Sequence, residues 1–436
     1  MTGAPTRDHL ETPPAAPPSR DQALPICRFC GRELTHTFVD LGMSPLCETY
    51  LTADQINLPE TFYPLHVRVC GGCFLVQLEA FVRADQIFSE YAYFSSYSTS
   101  WVEHARAYVD MISRRAALGP GSLVVELASN DGYLLQHFLP RRIPMLGIEP
   151  AANVARAAIA KGIPTRIEFF GAESARRLRD EGSAADLIIG NNVLAQVPDL
   201  NDFVAGMKIL LSPQGLITLE FPHLVSLIAG NQFDTIYHEH FSYLAFFVVE
   251  QIFNAHGLRL FDVEELTTHG GSIRIYGCHE DDPGHATLPS VGALRDKELA
   301  YGLDKLAAYG TFEERVKETK RGILEFLVAA KRQGKRIAGY GAPGKGNTLL
   351  NYCGIRTDFI DFTVDRNPLK QGKYTPGTHI PILSPDAIRE ARPDLIFVLP
   401  WNLKDEIVQA LQERGFENVR QRLAGLVQFV GGRLAS

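Results

Sequence analysis

The sequence predicts an α/β protein with two doubly wound, Rossmann-like parallel sheets in series behind a small cysteine-bearing module. From Gly119 onward the short apolar runs SLVVELA, MLGIEP, DLIIGNNV and GLITLEF alternate with helix-length polar and apolar stretches, the way strands joined by crossover helices read. A second series begins near Lys335 with RIAGYGA, FIDFTVD and LIFVLPW. Ahead of both lie two C-x-x-C pairs, CRFC and VCGGC. At 436 residues the chain exceeds one ordinary core. Its segments are drawn at 1–25, 26–85, 86–285, 286–334 and 335–436.

Residues 1–25 are rich in Pro, Ala and Thr and too poor in apolar side chains to offset their ordering entropy, so they read as a disordered tail. The aromatic stretch YAYFSSYSTSW reads as a loop entering a helix, and residues 286–334 as a charged helix pair. Elsewhere the balance is globular, 45% hydrophobic and 21% charged. Lys plus Arg (43) against Asp plus Glu (50) leaves a net charge of -7, which offers no broad basic surface and argues against nucleic acid as partner. The longest apolar runs are too short to span a membrane, and the start lacks a basic-then-apolar leader, so a cytoplasmic location is expected. Seven cysteines in such a chain point to metal or thiol roles over a disulfide framework.

Cys27, Cys30, Cys70 and Cys73 supply four thiolates on two tight knuckles, which satisfies tetrahedral zinc with no open position. The site is therefore expected to be structural. Cys47, Cys278 and Cys353 stand alone and read as buried small hydrophobes.

In the first sheet, VVELASNDGYLL places Glu126, Ala128, Asn130 and Gly132 between the end of a strand and the start of a helix, where ligands of open parallel sheets sit. S-adenosylmethionine is the expected cofactor, with Ala128 in the place of the usual first glycine. Glu149, in GIEP at the end of the next strand, is placed to accept from both hydroxyls of a ribose. Asn192, in NNVLAQVPDL, belongs to a turn suited to bracketing the adenine.

FDTIYHEHFSYL then gathers Tyr237, His238, Glu239, His240 and Tyr243. Only one residue separates the histidines, so the helical H-E-x-x-H zinc motif is absent. In extended or turn geometry the side chains are expected to alternate, with His238 and His240 on one face and Glu239 on the other. A histidine is the natural general base here, and a tyrosine a donor to a developing enolate.

GYGAPGKGNT fits both a dinucleotide fingerprint and most of a P-loop. Gly346 stands where Ser or Thr would have to hold magnesium, which removes the P-loop reading. What remains is a glycine-rich turn at a helix N-terminus with a lysine beside it, suited to a pyrophosphate. Gly341, Lys345, Asn347 and Thr348 are its expected contacts.

Taken in order, CRFC, VCGGC, VVELASNDGYLL, NNVLAQVPD, EFPH, IYHEHFSYL, GYGAPGKGNTLLNYCGI and VDRNPLKQGKYTPGTHIPI resemble the zinc-containing sugar C-methyltransferases that act on nucleotide-linked 4-keto deoxysugars. The resemblance implies a zinc module, a central methyltransferase domain of Rossmann-like fold and a C-terminal Rossmann-like domain without a dinucleotide. It also implies a monomer acting at C-3 of the sugar, with His240 as base and Tyr237 and Glu239 beside it. Gln196 stands where the family pattern has a histidine, which leaves the substrate contact there open. Other readings are a zinc-ribbon protein that binds ligands without turnover, an RNA methyltransferase, and an oxidoreductase using the C-terminal glycines. The net charge counts against RNA, and the crowded Tyr237–Tyr243 run counts against a mere sensor.

Overall fold

The computed structural model describes residues 24–88, 94–413 and 423–424. Most of the proposed tail, Tyr91 and Tyr93 of the aromatic stretch, and most of the chain beyond Glu413 lie outside them. The strands in chain order are β1 (His36–Ser44), β2 (Tyr63–Val69), β3 (Val76–Leu78), β4 (Val124–Leu127), β5 (Met145–Ile148), β6 (Thr165–Arg166), β7 (Ala185–Asn191) and β8 (Leu211–Pro222). They continue with β9 (Ser242–Tyr243), β10 (Leu258–Leu266), β11 (Ser272–His279), β12 (Ile337–Tyr340), β13 (Phe362–Val364), β14 (Ile382–Leu383), β15 (Leu395–Val398) and β16 (Leu423–Ala424).

The central sheet has the order β10-β11-β8-β7-β4-β5-β6. Its strands from β4 to β8 pair in parallel, while β11 runs antiparallel between β8 and β10. β4 is buried along its whole length, which is why VVEL reads as a continuous apolar run with one acidic interruption. The chain leaves β4 for β5 on one side and reaches β7 on the other, so a crevice opens at the carboxyl end of β4. The α-helix expected after VVELASNDG does not form. Two short 3-10 turns, Leu135–His137 and Leu139–Arg141, replace it, with Pro140 inside the second and the left-handed Arg142 ending it.

The C-terminal sheet, β14-β13-β12-β15-β16, is parallel throughout. Its first strand leads through GYGAP into the helix Gly344–Cys353. The helices Pro289–Tyr301 and Phe312–Arg332 form the expected pair. The N-terminal module is a small antiparallel sheet, β1-β2-β3-β9, whose last strand comes from the central part of the chain. Phe38 of β1 stacks on Phe312 with centroids 4.5 Å apart, fastening this module to the helix pair.

The turn after β12 is held from three directions. Asn347 Nδ2 donates to the Cys47 carbonyl at 2.6 Å and Thr348 Oγ1 to the Ile236 carbonyl at 3.0 Å. Tyr50 Oη donates to the Ala342 carbonyl at 2.5 Å, and Trp401 Nε1 to Asp234 Oδ2 at 2.7 Å. This corrects the sequence reading of Asn347 and Thr348 as substrate contacts: both are fully buried, and their side chains bind neighbouring backbone. Gly344, Asn347 and Thr348 share one face of the helix, and that face packs on Cys47, whose Sγ would lie 2.8 Å from a Cβ on Gly344. Thr348→Val, which keeps the shape and removes the donor, is expected to lower unfolding free energy by about 1–3 kcal/mol, measured by urea denaturation.

Candidate active site

A cavity of about 1490 Å³ begins at the carboxyl ends of the central parallel strands and extends to the turn after β12. At its first end three residues with side chains adopt left-handed backbone: Ala128 (φ 55), Asn130 (φ 50) and Asn192 (φ 56). For Ala128 this conformation costs about 1–2 kcal/mol, so the turn is kept despite the alanine. All three line the cavity, as does Glu149.

The Glu149 carboxylate accepts from Asn130 N at 2.9 Å and Ala151 N at 2.8 Å, which fixes it at the mouth of the crevice. Burial pushes its carboxyl up, and the two backbone N–H groups oppose that. Nearby, Asn191 Nδ2 and Asn192 Oδ1 are buried without a partner among the described residues, a donor and an acceptor left for a ligand. This cradle fits the adenosyl end of S-adenosylmethionine.

Two of the expected cofactor residues are elsewhere. Glu126 lies wholly buried on β4, away from the cavity, and neither carboxyl oxygen finds a partner among the described residues. Burial first, then the charges of Glu149 and Asp131, push its carboxyl well above the usual range. Gly132 serves the turn itself. Its φ is +75, and a Cβ there would sit 2.4 Å from Ile163 Cδ1.

Tyr237, Glu239 and His240 line the middle of the cavity. The alternation expected for YHEH is overturned, because the segment is a turn closed by His240 N donating to the Tyr237 carbonyl at 2.9 Å. His238 therefore points away, 3.2 Å from the Pro64 carbonyl and edge-on to Tyr63. His240 Nδ1 lies 2.9 Å from the Thr235 carbonyl. A carbonyl only accepts, so Nδ1 carries the proton and the Nε2 lone pair is left for a substrate. Burial lowers the imidazole pKa to about 4, with the Lys345 charge acting in the same direction. Tyr237 packs on the ring with centroids 4.0 Å apart, and burial holds its phenol well above its usual range, so it remains a donor. On the far side of Glu239, the Cys47 thiol donates to Oε1 at 3.5 Å. Cys47, Cys278 and Cys353 are all buried, as expected.

At the other end the cavity is bordered by Gly341 and Lys345. Lys345 Nζ donates to Asn402 Oδ1 at 2.8 Å and lies 5.0 Å from the Trp401 ring centroid. Burial lowers its pKa, which the Asp234 carboxylate opposes. Gln196 is also on the lining.

Sequence reading missed the wall opposite His240. Trp101, His104, Thr268 and His269 line it. Behind them Glu220 accepts from His104 Nε2 at 2.8 Å, Arg274 Nη2 at 2.7 Å and Thr268 Oγ1 at 2.8 Å. Burial would raise the Glu220 carboxyl, yet the His104 hydrogen bond and the Arg274 charge bring it down to about 2. A histidine ahead of paired glycines, THGGS, was the available signal.

The four predicted metal ligands come together. Their sulfurs all lie within 4.8 Å of one another, with Cys27 and Cys73 3.6 Å apart and Cys30 and Cys70 3.5 Å apart. Gln77 Nε2 donates to Cys27 Sγ at 3.1 Å and Gly72 N to Cys70 Sγ at 3.4 Å, as second contacts to thiolates do. The set fits structural zinc.

A methyl-donor cradle at the head of a doubly wound sheet, with a zinc module beside it, defines an S-adenosylmethionine-dependent methyltransferase. Three family models match along the chain: a zinc binding domain over 27–88, a methyltransferase domain over 101–263 and a C-methyltransferase C-terminal domain over 267–420. C-methyltransferase NovU from Streptomyces niveus is 36% identical over 387 residues, which covers 89% of this chain and 92% of that protein. The chain belongs to this C-methyltransferase family. Among solved structures, magnesium protoporphyrin IX methyltransferase from Synechocystis PCC 6803 is 13% identical, covering 41% of this chain and 79% of that one with a TM-score of 0.31. An S-adenosylmethionine-dependent methyltransferase from Anabaena variabilis is 16% identical, covering 40% and 83% with a TM-score of 0.34. No helix among the described residues is long and apolar enough to cross a membrane.

The purified protein is expected to carry one zinc ion per chain by elemental mass spectrometry. Stripping that ion with a chelator should lower the Tm, since metal binding is folding free energy for a module this small.

Proposed function

We propose that the protein transfers a methyl group from S-adenosylmethionine to a carbon next to the ketone of a nucleotide-linked 4-keto deoxysugar, at C-3 by the resemblance of its motifs. The observation that supports this most is His240: a neutral, tautomerically fixed imidazole that lines the same cavity as the methyl-donor cradle and the half-buried Lys345. A saturated sugar carbon is no nucleophile, whereas a carbon beside a ketone becomes one on losing a proton.

Nε2 of His240 takes that proton, and the electrons of the broken C–H bond move toward the ketone oxygen. The Tyr237 hydroxyl donates to that oxygen as charge develops, and Glu239 lines the pocket next to them. When bound in the Ala128–Asn192 cradle, S-adenosylmethionine would supply the electrophilic methyl, its S–CH3 bond breaking to leave S-adenosylhomocysteine as the carbon nucleophile gains the new C–C bond. His240 then returns its proton to solvent. Lys345 and the backbone N–H groups that open the Gly344–Cys353 helix hold the diphosphate, which fixes the sugar for reaction; such positioning is worth about 7–11 kcal/mol when well aligned.

The direct test is incubation with S-adenosylmethionine and a panel of 4-keto nucleotide sugars. Mass spectrometry should find a gain of one methylene unit, and NMR should place it at C-3; methylation at C-5 would correct the position, and no gain with any sugar would reject the substrate class. His240→Ala is expected to slow methyl transfer about 100- to 10,000-fold while both ligands still bind by calorimetry. Because the imidazole titrates near 4, well below its usual 6.5, the base remains unprotonated through the neutral range. The kcat/KM profile should therefore lose its base only as pH falls toward 4. Lys345→Ala should raise KM for the nucleotide sugar about tenfold or more with little change for S-adenosylmethionine, read from initial rates.

A further inference from the structure

The hairpin joining β10 to β11 brings a second histidine into the cavity. Its turn closes between Leu266 and Ser272, and three successive residues have positive φ: His269 (54), Gly270 (87) and Gly271 (118). Only the first carries a side chain, and a left-handed residue with a Cβ costs about 1–2 kcal/mol. Such strain persists where surrounding structure enforces it, and it clusters at functional sites. The enforcement is visible. Thr268 Oγ1 donates to Glu220 at 2.8 Å, Gln232 Nε2 to the Gly270 carbonyl at 2.8 Å, and His223 N to the Gly271 carbonyl at 3.0 Å. A Cβ on Gly270 would lie 2.5 Å from Trp401 Cη2, so the turn is also packed against the C-terminal part of the chain.

The side chain held this way lines the cavity, with its ring edge-on to Trp101 at 4.8 Å. Its Nδ1 is buried and has no hydrogen-bond partner among the described residues, which a satisfied structural histidine would not leave. Burial first, then the charges of Lys345 and His104, bring the imidazole down to about 4, so the ring is neutral. His240 and His269 line the same cavity, and the Lys345 charge lowers both imidazoles. A neutral N–H donor is matched to a ketone that becomes an enolate, because it binds the uncharged ground state weakly and strengthens as negative charge grows.

We propose that His269 is a second catalytic histidine, which donates a hydrogen bond to the ketone oxygen of the substrate while His240 removes the neighbouring proton. The C–H bond breaks, its proton goes to His240 Nε2, and the electron pair is stabilised on an oxygen shared by Tyr237 and His269. The proposal rests on the 4-keto sugar reading.

The experiment follows enolisation apart from methyl transfer. Protein, S-adenosylhomocysteine and the 4-keto nucleotide sugar are placed in deuterated buffer, and NMR records deuterium entering the carbon beside the ketone. His269→Asn and His269→Gly both suit the left-handed turn, so each should fold with an unchanged circular dichroism spectrum. Both are expected to slow exchange at least about 100-fold, with S-adenosylhomocysteine affinity within about threefold of the parent by calorimetry. Free imidazole should restore part of the exchange to His269→Gly, a rescue that a purely structural residue would not give. Exchange at the parent rate in either variant would overturn the proposal, as would loss of S-adenosylhomocysteine binding with exchange intact, which would assign His269 to the cofactor. Absence of exchange in the parent protein on every sugar tested would instead overturn the substrate reading.

Discussion

The site depends on one junction, the turn that follows β12. Ala342, Asn347 and Thr348 tie it to the N-terminal module through Tyr50 and Cys47, and to the YHEH segment through Ile236. Lys370, itself buried, adds a donor to the Ala342 carbonyl at 2.9 Å and an ion pair with Glu48 at 3.1 Å. These groups are removed from water, so each unmade bond would cost more than each made bond contributes. The asymmetry makes the three-way fit specific rather than merely adhesive, and it closes the cavity on the side where Lys345 stands.

The cysteine module braces the loop that follows β7. Arg28, between two of the cysteines, donates Nη1 to the Pro198 carbonyl at 2.9 Å, and Asn201 Nδ2 returns a bond to the Phe29 carbonyl at 3.0 Å. The knuckle thus grips the NNVLAQVPDL turn that carries Asn192 and Gln196. The metal-binding module is thereby bonded directly to the loop that borders the cavity at Asn192 and Gln196.

The strands that are buried on both faces were legible as apolar runs, and the thiolates as paired knuckles, because each obeys a local rule. β6, β14 and β16, of two residues each, carry too little pattern to be read. The longer β10 and β11 hide because their chain reversal puts a strand antiparallel into an otherwise parallel sheet. Local reading placed Tyr237, Glu239, His240 and Lys345 on the cavity. It failed for Asn347 and Thr348, whose helical phase turns them to other domains, and for Glu126 and Gly132, which build the turn from behind. The wall of Trp101, His104 and His269 comes from segments more than 150 residues apart, a proximity that only the folded sheet creates.

The Thr348 bond to the Ile236 carbonyl has a mechanical side. Ile236 follows Thr235, whose carbonyl keeps the proton on His240 Nδ1. The two bonds fall on consecutive peptide units, so the Gly344–Cys353 helix and the imidazole are anchored to the same short stretch of backbone.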